Sequence, residues 1–201
     1  MTDPATADIY QAFARYGSGV CFVVSHDPET GEDRFLIAAS VLTASVDPFH
    51  LGVSIGRDRD ALEHILSDRP WSVHVLASNH EGLVTTLTGK TTKSERVDAV
   101  LAAGATRSAD GTLHLQDALA SFSCETAGTI DVADQTLVVA RVTAASTGKA
   151  RPPLMRWNRR FGTVHHRRSG YSIADVFVRR FALAGLVGLV AGVAIAQSLR
   201  S

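Results

Sequence analysis

Cysteine is scarce in this chain of 201 residues. Only Cys21 and Cys124 carry a thiol, far apart and without CxxC spacing. That excludes a disulfide-stapled scaffold and a cysteine-built zinc site, and it predicts a reducing cytosol. Net charge is absent as well, with 20 Lys+Arg against 20 Asp+Glu. A neutral chain gives no case for nucleic-acid binding. The eight histidines (His26, His50, His64, His74, His80, His114, His165 and His166) form no HExxH or other tight metal spacing. No GxSxG is present, and no Ser-His-Asp arrangement can be argued. Internal repeats and low-complexity tracts are also missing. The opening Met-Thr-Asp-Pro-Ala has no basic stretch leading into an apolar run, which predicts no secretory signal.

Apolar residues make up 45% of the chain, ordinary for a globular fold, and its length suffices for one well-buried domain or one domain plus an appendage. The neutral total hides a division. Residues 1–150 hold 11 basic and 19 acidic side chains, while residues 151–201 hold 9 basic and 1 acidic. Such an asymmetry marks a surface or membrane contact.

Residues 8–16 read as a short amphipathic helix ending at Gly17 and Gly19. The β-branched run 20–25 predicts a strand, 27–34 a polar turn and 35–39 a second strand. A loop follows, then a strand over 51–55. Leu62, Ile65 and Leu66 share one face of a helix over 59–67, and 71–76 is another strand. Helices are expected over 80–87 and 94–103, within an otherwise irregular stretch. Strands over 121–129 and 136–144 flank a turn at 131–135, and Pro152-Pro153 opens a last short strand through Trp157. Short strands with unevenly spaced helices predict a mainly β fold with short helices, an antiparallel barrel and not a doubly wound sheet. His74 lies in an apolar strand and reads as a hydrogen-bonded core histidine, and Cys21 as a buried, inert thiol.

Four stretches occur in a familiar order. They are FARYGSGVCFVV (13–24), ASVLTASVDPFHLGVSI (39–55), the helix leading into WSVHVL (61–76), and ALASFSCE (118–125) with LVVARV (137–142) and PLMRWNRRFG (153–162). Over residues 10–163, about three quarters of the chain, they resemble the flavin reductase-like family. These are FMN-binding split β-barrels, the reductase components of two-component monooxygenases.

The resemblance implies where a flavin would sit. Ala39, Ser40, Val41, Leu42 and Thr43 would meet the isoalloxazine ring, their small side chains letting backbone N–H and C=O groups reach its polar edge. Ser54 and Gly56 would border it. Arg57 and Arg59 would hold the phosphate, since guanidinium forks suit phosphate oxygens. The helix N-terminus that follows would add partial positive charge. The alternative for this stretch is a solvated charge cluster in which Asp60 caps the helix. Trp157 and Arg160, beside Arg159, would lie near the flavin, with Trp157 as a partly buried cover of the barrel end the other reading.

The chain departs from the family pattern at Asp58 and Asp60, where Ser or Thr is common. It departs again at Gln135, where Gly-Asp-His is usual and the His is linked to nicotinamide binding. Gln135 can hydrogen-bond but carries no charge. Hydride transfer to flavin N5 depends on stacking and positioning more than on a side-chain acid, so no catalytic side chain is assigned.

Residues 181–199 contain no charge in 19 positions, and 14 of them are apolar. As a helix they would span roughly 28 Å, close to a bilayer's hydrocarbon thickness. Arg167, Arg168, Arg179 and Arg180 precede the run and only Arg200 follows, which predicts a cytoplasmic barrel. Ser172 and Asp175 have capping-box spacing. Ala184, Gly188, Gly192 and Ala196 repeat every four residues, a row that lets two helices pack closely. The alternative is a soluble helix buried on the barrel or in a dimer.

The expected organisation is therefore a barrel over 1–165, a basic linker and helix start over 166–180, and a hydrophobic membrane anchor over 181–199. The expected activity is NAD(P)H-dependent reduction of FMN or FAD, with a homodimeric enzyme supplying a partner monooxygenase at the cytoplasmic face of the membrane. The alternative is a non-catalytic flavin- or haem-binding module tethered to that membrane, or a cytoplasmic protein if the tail is soluble.

Overall fold

The computed structural model describes residues 4–164 apart from Asp68. The expected anchor over 181–199 and the basic linker before it lie outside the described residues. Among the described residues no helix is long and apolar enough to cross a membrane.

In chain order the elements are α1 (Pro4–Phe13), β1 (Ser18–Gly19), β2 (Cys21–His26), β3 (Asp33–Ala38), β4 (Val41–Val46), β5 (Phe49–Gly56), α2 (Asp60–Leu66), β6 (Trp71–Val75), α3 (Glu81–Thr88), α4 (Lys93–Ala102), β7 (Ala105–Arg107), β8 (Leu113–Leu115), β9 (Ala120–Val132), β10 (Gln135–Thr147), β11 (Leu154–Trp157) and β12 (Arg160–Thr163). Seven strands form one antiparallel sheet in the order β3-β2-β6-β9-β10-β5-β4. Its two outermost strands, β3 and β4, are joined by only Ala39 and Ser40. Six strand spacings of about 4.8 Å would hold flat edges roughly 29 Å apart, far beyond the reach of two residues. The sheet must therefore curl on itself. Ser40 fastens the seam: its carbonyl accepts the Ser54 N–H at 3.2 Å, and its hydroxyl donates to the Ser54 carbonyl at 2.8 Å.

The apolar run of β2 follows from burial on both faces. Cys21 and Val23 pack inside with Val53, Ile55, Trp71 and Val138, under Leu62 and Ile65 of α2. Phe22 and Val24 pack outward beneath α3, α4 and β8, with Leu83, Leu87, Val100 and Leu113. His74 is buried between two hydroxyls, with Nε2 2.8 Å from Ser72 Oγ and Nδ1 2.8 Å from Ser121 Oγ, as expected of a core histidine. Burial pushes both thiols up, Cys21 and Cys124 each to about 12, so neither is a nucleophile at neutral pH.

Several boundaries differ from the sequence reading. The first helix is displaced toward the N-terminus. Residues 41–46 are a strand and not a loop, because pairing with β5 satisfies their backbone. The stretch between α3 and β9 is ordered by local devices. Thr92 caps α4, its hydroxyl accepting the Glu95 N–H while the Glu95 carboxylate accepts the Thr92 N–H at 2.7 Å. The β7–β8 hairpin is tied to β3 by Arg107, whose Nη1 and Nη2 donate to the buried Asp33 carboxylate at 3.1 and 2.7 Å. His26 Nδ1 lies 2.9 Å from the same carboxylate.

Candidate functional site

The seam between β3 and β4 gathers most of the expected flavin residues. Ala39 and Ser40 form the link, Val41, Leu42 and Thr43 begin β4, and Ser54 and Gly56 end β5. As β4 is an outermost strand, the backbone groups on its far side have no sheet partner among the described residues. Ser40 and Thr43 are exposed. Leu42 lies across Gly52, where an added Cβ would come within 3.0 Å of the leucine side chain. A larger residue at position 52 would displace Leu42 from this surface.

One outward face runs through the site. Cross-strand partners share a face, and Leu137 pairs with both Ser54 and Ile130 while Gln135 pairs with both Gly56 and Val132. Val53 and Val138, one step along each strand, point into the core and are fully buried. The outer face thus carries Leu42, Ser54, Gly56, Gln135, Ile130 and Val132. Leu42, Ile130 and Val132 are each more than half exposed.

The turn after β5 is closed on itself. The Arg57 N–H donates to the Asp134 carbonyl at 3.0 Å, and the Arg59 N–H to the Gly56 carbonyl at 3.0 Å. Arg57 Nη2 lies 2.7 Å from Asp131 Oδ2. Thr136 donates to Asp131 Oδ1 at 2.9 Å. That hydrogen bond and the Arg57 guanidinium hold the Asp131 carboxyl below its ordinary range. Arg59 Nε faces Asp58 Oδ1 at 3.6 Å, and Gln135 donates to Asp134 Oδ2 at 3.3 Å. Sequence reading missed Asp131, because its partner is 74 positions away. Only the β5–β10–β9 register brings the two together.

Two expectations about this turn are corrected. Asp60 does not cap α2: Arg59 is the N-cap residue and makes no side-chain cap bond, while Asp60 turns toward Arg34 at 3.6 Å. The helix has only 7 residues and carries Asp60 and Glu63 in its first turn, so it offers little field to an anion.

Trp157 and Arg160 belong to a separate sheet of β1, β11 and β12. Left-handed backbone at Asn158 and Arg159 makes the tight turn between them. Trp157 is 61% exposed, which corrects the reading of a partly buried barrel cover. Its Nε1–H donates to the Arg15 carbonyl at 3.0 Å. This hairpin still lies at the seam's end of the barrel. Cys21 pairs with Ala38, and the preceding Gly19 pairs with Met155.

A flavin fits these residues. A strand edge with unpaired backbone, small side chains and exposed hydroxyls suits the polar edge and flat faces of the ring. Among the described residues no three His, Cys, Asp or Glu side chains form a metal-binding group.

A mainly antiparallel sheet curled on itself, flanked by short helices, defines a split-barrel fold. The family model described as "Flavin reductase like domain" matches residues 13–165, and the chain belongs to that family. An FMN reductase (NADH) RutF of Bradyrhizobium diazoefficiens is 31% identical over 164 residues, covering 82% of this chain and 88% of that one. The NADH-dependent flavin reductase StyB of Pseudomonas fluorescens is 30% identical over 149 residues, covering 71% and 79%. Among solved structures, the styrene monooxygenase flavin reductase SMOB of Pseudomonas putida S12 superposes with a TM-score of 0.69 at 26% identity, covering 80% of this chain and 99% of that one.

Proposed function

We propose that this chain is an NADH-dependent flavin reductase, with the flavin seated along the β3–β4 seam. The observation that carries this reading is the strand edge at Ser40–Thr43 beside Ser54 and Gly56. It is supported by relatives named FMN reductase (NADH) and NADH-dependent flavin reductase. When bound, the isoalloxazine supplies N5, which takes hydride from the nicotinamide while solvent supplies the proton. The chain's part is to align two flat rings and exclude water between them, a positioning task that needs no side-chain acid. Gln135 borders the site as a neutral hydrogen-bonding group, in keeping with that division of labour. The reduced flavin leaves for a partner monooxygenase, a reading supported by the likeness to the styrene monooxygenase flavin reductase SMOB.

Two further features belong to this proposal. The protein is a homodimer through the outer face of Leu42, Ile130 and Val132, which would place the flavin site at the dimer contact. Residues 1–165 form the catalytic barrel, 166–180 a basic linker, and the uncharged run 181–199 holds it to the cytoplasmic face of a membrane. Consumption of NADH by the purified chain tests the activity. It should depend on added FMN or FAD, and absence of flavin-dependent oxidation would reject the reading.

A further inference from the structure

The corner expected to bind a flavin phosphate already has internal partners for its donors. Four donor groups could have served an anion there: the amides and the guanidiniums of Arg57 and Arg59. Both amides donate to backbone carbonyls, Arg57 to Asp134 and Arg59 to Gly56, at 3.0 Å each. Both guanidiniums face carboxylates, Asp131 at 2.7 Å and Asp58 at 3.6 Å. The Arg57 pair is the firmer, because Asp131 is itself held by the Thr136 hydroxyl at 2.9 Å and by its place in the β9 ladder. A phosphate arriving here would have to share the Arg57 guanidinium with the Asp131 carboxylate and sit beside it. Like charges at that separation oppose binding even where solvent screens them.

We infer that Asp131 is a specificity residue for the flavin tail. By occupying Arg57 it withholds the one well-placed guanidinium from the phosphate. The chain therefore grips flavins by the ring and accepts phosphate-free riboflavin nearly as well as FMN. This rests on the flavin-reductase reading and narrows its substrate to the isoalloxazine and ribityl portion. A loose hold on the tail also suits a reductase that must release its product to another protein.

The test compares dissociation constants for FMN and riboflavin by quenching of flavin fluorescence at low ionic strength. It uses the full chain and its Asp131→Asn, Arg57→Gln and double variants. The amide introduced by Asp131→Asn keeps an oxygen to accept the Thr136 hydroxyl, so the strand end is preserved. The wild-type chain should bind the two flavins within about three-fold. Asp131→Asn should tighten FMN by about three- to five-fold, the scale of an exposed ion pair, and leave riboflavin unchanged. Arg57→Gln should hardly alter the wild-type ratio yet abolish the gain in the double variant, a coupling that a general structural effect would not produce. A wild-type preference for FMN of about a hundred-fold overturns the inference, as does an Asp131→Asn variant with an unchanged ratio. If the wild-type chain binds neither flavin, the flavin-reductase reading falls and this inference falls with it.

Discussion

His74 shows how one side chain links packing to solution behaviour. Burial, with His114 nearby, lowers it from the ordinary 6.5 to about 3, so it stays neutral in the folded chain. Unfolding releases it to water, where it protonates below about pH 6.5. Between those values the unfolded chain binds the extra proton, so stability rises with pH and is lost on acidification. His80 and His64 are also lowered by burial and add with the same sign. Urea unfolding of wild type between about pH 6.5 and pH 4 should therefore show a steep fall. A His74→Gln variant, which can still bridge Ser72 and Ser121, should flatten that slope by about 1 kcal/mol per pH unit. An unchanged slope would mean that His74 is already charged in the folded protein. The burial and hydrogen bonding of His74 were readable from its place in an apolar strand. The Arg57–Asp131 pair was not, because it depends on register across three strands.

At the scale of elements, the β9–β10 ribbon does two jobs. Its first half is core, pairing with β6 and contributing Cys124 and Ala140. Its second half projects Ile130 and Val132, each 56% exposed, onto the face that also carries Leu42. Apolar side chains clustered beside a polar site mark an interaction surface. An Ile130→Glu substitution should shift the chain from dimer to monomer in sedimentation or gel filtration with little loss of fold, since the side chain lies outside the core. A wild-type chain that is already monomeric would remove this surface from the account.

The strands with strong β-branched runs were legible in the sequence, as were the helices α2 to α4 to within a few residues. Strand β4 was not, because VLTASV alternates poorly and four of its six residues face water. The β7–β8 hairpin was equally hidden. Its short strands are held by Arg107 on Asp33, and only the fold makes that contact.

At the scale of the whole molecule the charge division is one of sequence: residues 1–164 hold 19 of the 20 acidic side chains, and a basic stretch precedes the uncharged run 181–199. Expression with and without residues 172–201 tests the tether. The full chain should sediment with membranes and the shortened chain remain in the supernatant. Recovery of both in the supernatant would contradict it. The split barrel was readable because four stretches fall in family order, although no single motif among them is decisive. The hydroxyl-rich seam was readable with them, but the carboxylate partners of Arg57 and Arg59 needed coordinates.

Anaerobic mixing of the purified chain with FMN and NADH tests the central claim most directly. Bound flavin should be yellow, and its visible absorbance should bleach as NADH is consumed in equal amount. A flavin spectrum unchanged by NADH, or a chain that binds no flavin, would contradict it.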